Sequence, residues 1–210
     1  MMSAPPGAEA GSRAGAPRRH EEVTTVQVQV AGATQMRRLG TRLAGLLRAG
    51  DLVVLTGPLG AGKTTLVQGI GAGLDVRGPV TSPTFVIARV HPSLRGGPDL
   101  VHADAYRLGS RIEVDDLDLD ADVEHAVTVV EWGEGLVEDL TAGHLRITIG
   151  FEEPGQADSQ AGTQADGQQD AQGDEPRLVT MSGHGGRWPA VAGELSEALA
   201  AQERGADGEK

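Results

Sequence analysis

Residues Gly57-Pro58-Leu59-Gly60-Ala61-Gly62-Lys63-Thr64 have the spacing G-x-x-x-x-G-K-T, the strongest chemical signal in the chain. Glycines so placed let the backbone curl until successive N–H groups converge, and a helix starting at the lysine adds its positive end. Such a concavity takes phosphate. The lysine there reaches the β- and γ-phosphates of a nucleoside triphosphate, and the threonine hydroxyl ligates magnesium. Lysine usage gives a second argument. Of 18 basic residues only Lys63 and the terminal Lys210 are lysines, so an arginine-rich chain places a compact point charge at this one position. The competing reading, a glycine-rich turn with a snorkelling lysine, leaves the strand and helix patterns on either side unexplained.

Triphosphate chemistry also needs an acid near the metal, commonly at the end of a neighbouring buried strand. Val127-Thr128-Val129-Val130-Glu131 is an apolar run ending in a carboxylate, followed by Trp132-Gly133. A strand emerging at the carboxyl edge of a sheet, where ligands of α/β folds bind, has this form. The other reading is a solvated glutamate at a strand end. His102-Ala103-Asp104-Ala105-Tyr106-Arg107 follows a second short apolar run, and alternation puts His102, Asp104 and Tyr106 on one face if the strand continues. Asp104 could hold a metal-bound water or orient an attacking water, and Arg107 could neutralise developing phosphate charge. A structural hydrogen-bond cluster is the alternative for each. Thr81-Ser82-Pro83-Thr84-Phe85 sets hydroxyls beside a proline-fixed turn before a strand. It reads equally as a nucleotide-sensitive switch segment or an ordinary turn.

These side chains need a scaffold. Val26-Gln27-Val28-Gln29-Val30 alternates with period two and predicts a strand. Met36, Leu39, Leu43, Leu46 and Leu47 fall at helical spacing behind Thr34, a candidate N-cap. Leu52–Leu55 is continuously apolar, as in a strand buried on both faces, and a helix is predicted from Lys63 to about Gly73. Further strands are predicted over 85–90, 100–103, 127–130, 145–151 and 178–181, with a last helix near 190–199. The alternation predicts a single α/β domain of the P-loop NTPase kind, with a mainly parallel central sheet flanked by helices.

Composition sets the limits. The 210 residues carry 18 Lys and Arg against 30 Asp and Glu, a net charge of −12, which argues against gripping DNA or RNA by charge alone. With no cysteine, disulfides, thiolate metal sites and cysteine nucleophiles are excluded. No run approaches 18 apolar residues, and the start lacks the apolar stretch of a signal peptide, so a cytoplasmic protein without membrane contact is expected. Residues 1–21 are expected to be a disordered extension. Residues 152–176, with seven acidic side chains and no basic one, are expected to be a disordered acidic insertion. The domain is thus 22–151 joined to 177–203, with 204–210 a disordered tail. Two patterns fail. Asp116-x-Asp118-x-Asp120-x-Asp122 lacks the glycine and glutamate of a calcium loop. Gly69-Ile70-Gly71-Ala72-Gly73 follows no strand and does not complete a dinucleotide fingerprint.

In ordered sequence the chain resembles the TsaE (YjeE) family of bacterial ATPases of tRNA threonylcarbamoyladenosine biosynthesis. The resemblance runs through Thr34 ahead of Leu39-Gly40, then 57–65, Ser82-Pro83-Thr84-Phe85, His102-x-Asp104-x-Tyr106-Arg107-Leu108 and Glu131-Trp132. It implies a magnesium-dependent ATPase that works with TsaB and TsaD on the adenosine next to the anticodon and meets tRNA through that complex. Weak turnover without partners is expected. The resemblance places Thr34, Gly57, Pro58, Leu59, Gly60, Ala61, Gly62, Lys63, Thr64, Thr65 and Trp132 at ATP, and Thr64 and Glu131 on magnesium. It also gives Lys63, Asp104 and Glu131 catalytic parts and makes 82–85 the switch-like loop. Pro58 stands where the family often has an acid, but cradling phosphate uses backbone N–H groups. A small-molecule P-loop kinase, or a nucleotide-dependent switch with negligible turnover, are the alternatives. Arg95, Arg107 and Arg111 could be kinase lid arginines, although their segments are short for a lid.

Overall fold

A computed structural model describes residues 23–83, 87–108, 124–151, 176–191 and 193–197. Seven strands and two helices make the framework: β1 (Val23–Ala31), α1 (Gly32–Ala44), β2 (Leu52–Thr56), α2 (Lys63–Gly73), β3 (Ala88–His91), β4 (Asp99–Asp104), β5 (Ala126–Glu131), β6 (Gly143–Phe151) and β7 (Pro176–Gly185). They form one sheet in the order β1-β7-β6-β2-β5-β4-β3. The expected acidic calcium-like run at 116–122, the 1–21 extension, the bulk of the 152–176 insertion and the 204–210 tail lie outside the described residues. So do Thr84, Phe85 and the end of the expected last helix, of which 193–197 are helical.

The sheet is mixed, not mainly parallel. β6, β2, β5 and β4 run parallel, but β7 is antiparallel to β6 and β1, and β3 to β4. The short link over residues 92–98 is one reason, because a parallel crossover needs a dozen residues or more. Apolar period alone does not distinguish the two pairings. The parallel centre is the most buried part: every residue of β2 and β5 is buried.

One face of the sheet, carrying Val53, Leu55, Val127, Val129, Leu145 and Ile147, packs beneath α1 and α2. The other face, with Leu52, Val54, Val101, Ala103 and Val130, closes on Val137 and its neighbours. The two helices come very close. A Cβ on Gly40 would lie 2.3 Å from the Leu66 carbonyl oxygen, and one on Gly69 would lie 2.2 Å from that of Arg37. Gly69 and Gly73, empty of dinucleotide chemistry, therefore serve packing against α1, while Gly71 makes room for Val80. α1 also begins earlier than expected. Its N-cap is Ala31, with no side-chain cap, so Thr34 lies inside the first turn. The Ala31 N–H is instead taken by Gln35 Oε1 at 2.8 Å.

Candidate functional site

β2, β4 and β5 end at one edge, and their parallel register sets the acids side by side. Glu131 is opposite Leu55 on one flank and opposite Asp104 on the other. Both carboxylates are buried, at 3% and 6% exposure. After Asp104 the chain turns: the Tyr106 N–H donates to Asp104 Oδ1 at 2.9 Å. His102 and Asp104 thus share a face, whereas Tyr106 and Arg107 leave the strand and are exposed.

The glycine-rich loop runs from the end of β2 into α2. Gly57, Gly60 and Gly62 have φ of 137, 78 and 105°, backbone that L side chains strongly resist. A Cβ on Gly57 would in addition lie 2.2 Å from the Ile149 carbonyl oxygen. Within the loop Ala61 N–H donates to Pro58 O at 3.3 Å, and Leu66 N–H donates to Gly62 O at 2.9 Å. α2 has no side-chain N-cap, and at the head of the helix the N–H groups of Lys63, Thr64 and Thr65 have no intrahelical acceptor. They face the same end as the acids, where negative charge is favoured.

Thr64 Oγ1 donates to Glu131 Oε1 at 2.8 Å. Lys63 Nζ donates to the carbonyls of Gly57 (2.9 Å) and Pro58 (3.0 Å) and lies 3.9 Å from the centroid of Trp132. Burial pushes the Lys63 ammonium below its ordinary pKa, while Glu131 and Asp104 pull it back up. Trp132, at φ 61°, is fixed by its N–H on Leu55 O at 2.8 Å, and its ring meets Tyr106 at 5.2 Å.

These groups line one cleft of about 430 Å³ that brings together Leu59, Gly60, Gly62, Lys63, Thr64, Thr65, Ser82, Asp104, Tyr106, Glu131 and Trp132. A smaller opening of about 160 Å³ lies on the other side of the loop, between Gly60, Ala61, Gly62, Thr65 and the start of α1, with Met36 and Arg177. Sequence reasoning missed Met36 and Arg177 as site residues. Met36 carried only a core signal, and Arg177 entered only as the first residue of the 177–203 segment. Thr34 lies in a third depression with Arg37, Arg38, Thr41 and Arg42. Of the 82–85 loop, Ser82 is at the cleft and Pro83 is buried.

Fold and cleft together define an α/β protein with a glycine-rich loop facing two buried carboxylates across an ammonium and a hydroxyl. Comparison with known proteins narrows that class. Residues 30–160 match the model of "Threonylcarbamoyl adenosine biosynthesis protein TsaE". The tRNA threonylcarbamoyladenosine biosynthesis protein TsaE of Streptomyces coelicolor is 59% identical over 154 residues, covering 73% of this chain and 93% of that protein. Its counterpart in Mycobacterium tuberculosis H37Rv is 56% identical over 118 residues, 53% of this chain and 70% of that one. The crystal structure of Bacillus subtilis YdiB superposes with a TM-score of 0.60 at 26% identity, over 84% of this chain and 97% of that one. The chain belongs to the TsaE family. No helix among the described residues is long and apolar enough to cross a membrane.

Proposed function

We propose that this chain binds ATP with magnesium and hydrolyses it in support of tRNA threonylcarbamoyladenosine formation, in a complex with TsaB and TsaD. The observation that carries the reading is the 2.8 Å contact of Thr64 Oγ1 with Glu131 Oε1 at the mouth of a glycine-rich loop. A hydroxyl and a carboxylate are the hard oxygen donors magnesium takes, and magnesium usually completes its shell with phosphate and water. Bound magnesium would offset charge on the phosphates.

The chain's own residues divide the remaining work. The loop N–H groups and the α2 terminus bind phosphate, and Lys63 exchanges its two carbonyl acceptors for phosphate oxygens. Thr64 and Glu131 hold the metal. Asp104, opposite Glu131 in the register, orients water. Trp132 and Tyr106 wall the cleft, and the opening at Met36 and Arg177 leaves room for the nucleoside on the far side of Gly60–Gly62. A chain of net charge −12 meets tRNA through its partners.

The test is magnesium-dependent ATP hydrolysis by the purified chain, alone and with TsaB, TsaD and tRNA, with Lys63→Ala as control. A Lys63-dependent rate raised by the partners, with repeated tRNA modification requiring this chain, sustains the proposal. Equal turnover without partners, and modification indifferent to the chain, would overturn it and direct the search to phosphoryl transfer onto metabolites.

A further inference from the structure

We propose that His102 is a positioning residue that sets the rotation of the Glu131 carboxylate. The inference rests on the nucleotide–magnesium reading of the cleft. His102 is wholly buried, and its Nε2 lies 2.9 Å from Glu131 Oε1. An ionised carboxylate only accepts, so Nε2 carries the hydrogen. Thr64 Oγ1 donates to the same oxygen. Among the described residues both hydrogen bonds to the Glu131 carboxylate fall on Oε1, and two donors converging from β4 and α2 fix the carboxylate plane. Oε2 is left as the carboxylate oxygen that accepts from none of the described residues.

The surroundings show that packing alone does not call for histidine here. On the same sheet face stand Leu100, Val127 and Val129, all fully buried, and an aliphatic side chain would join them without a polar cost. His102 instead buries Nδ1 with no hydrogen-bond partner among the described residues, which is unfavourable. The one described hydrogen bond of its ring is the one to Glu131. Parallel pairing delivers it: Asp104 and Glu131 are in register, and His102 sits one same-face step earlier, opposite Val129. Partners of this kind commonly alter metal affinity by about 10–100-fold.

The experiment is calorimetric titration of the full chain with ADP, once with magnesium and once with EDTA, for wild type, His102→Gln, His102→Asn and His102→Leu. Glutamine can place an N–H near the Nε2 position, whereas asparagine is polar but too short. The expected result is that Asn and Leu lose about tenfold of the magnesium-dependent gain in ADP affinity, with affinity in EDTA within about twofold of wild type, and that Gln restores most of the gain. Should Leu fail to fold, the Gln–Asn pair decides alone. An unchanged magnesium gain in Asn or Leu overturns the proposal, as does an equal loss with and without magnesium, or no rescue by Gln. A wild-type chain with no magnesium-linked ADP affinity overturns the underlying reading, and this inference with it.

Discussion

Lys63 rests on Trp132: its ammonium is 3.9 Å from the indole centroid while it donates to the carbonyls of Gly57 and Pro58. A triphosphate in the loop draws that cation off both the carbonyls and the ring, since charge-assisted bonds to phosphate are the stronger ones. Only two tryptophans are present, and the other, Trp188, is buried in the core. Addition of magnesium and ATP should therefore change the tryptophan fluorescence. The change should vanish in Trp132→Phe and, for want of binding, in Lys63→Ala. A full change remaining in Trp132→Phe would remove Trp132 from the nucleotide's surroundings.

Glu131 accepts from Thr64 and His102 at one oxygen, so its two roles separate by substitution. Glu131→Gln keeps an acceptor for both donors and should cost under about 1 kcal/mol in urea unfolding, yet lower ATP hydrolysis about 100-fold or more. Glu131→Leu strands both buried donors and should cost about 2 kcal/mol. Equal stability of the two variants would contradict the hydrogen-bonding scheme.

Proton linkage follows from Lys63. In the free protein burial lowers its pKa, against the pull of Glu131 and Asp104, whereas bound phosphate favours the ammonium and raises it. Between the two values the free protein holds fewer protons, so binding takes protons up. Calorimetric enthalpies of ADP binding in buffers of different ionisation heat, taken over an alkaline pH series, should show net uptake in the window between the two values. The uptake should shrink once the pH lies below the lowered free-state value, where Lys63 is charged in both states, and be absent in Lys63→Arg, because arginine stays charged throughout.

Gly57 and Gly60 both have positive φ, but only Gly57 is crowded. With the Ile149 carbonyl 2.2 Å from its added Cβ, Gly57→Ala should destabilise the fold by about 3 kcal/mol. Around Gly60 nothing lies within 4 Å of an added Cβ, so Gly60→Ala should cost about 1 kcal/mol, the left-handed backbone alone. Thermal unfolding of the two variants provides the comparison.

The same contrast explains what could be read from the chain. β2 and β5 were legible because strands buried on both faces are apolar throughout. The start of α2 was legible because Lys63 follows a glycine that must turn. The antiparallel flanks were not, since pairing direction leaves the period of β1 and β7 unchanged. Thr34 suggested a cap by residue type, but Gly32 at φ 72° lets the helix start sooner. His102 and Glu131 each stood out singly. Their contact depends on the β4–β5 register, which no local pattern encodes. Arg177 gains its place beside the loop because β7 returns to the sheet between β1 and β6, a long-range pairing.

That return is held at its far end by an ion pair. Arg187 donates to both oxygens of Asp51, at 2.9 and 2.6 Å, and to the carbonyl of Leu46. Asp51 is 6% exposed and also accepts from the Arg48 N–H at 2.7 Å. The Asp51 hydrogen bond raises the Arg187 pKa, against burial, so the arginine is charged at every accessible pH. Arg187→Ala leaves a buried carboxylate with only a backbone donor, and the expected loss is about 2–3 kcal/mol. Asp51→Asn keeps two polar contacts and should cost less. Because the pair joins the end of β7 to the turn before β2, Arg187→Ala should also speed proteolysis beyond residue 176, measured by limited digestion and mass spectrometry. Digestion no faster than wild type would show that β-pairing alone secures this segment.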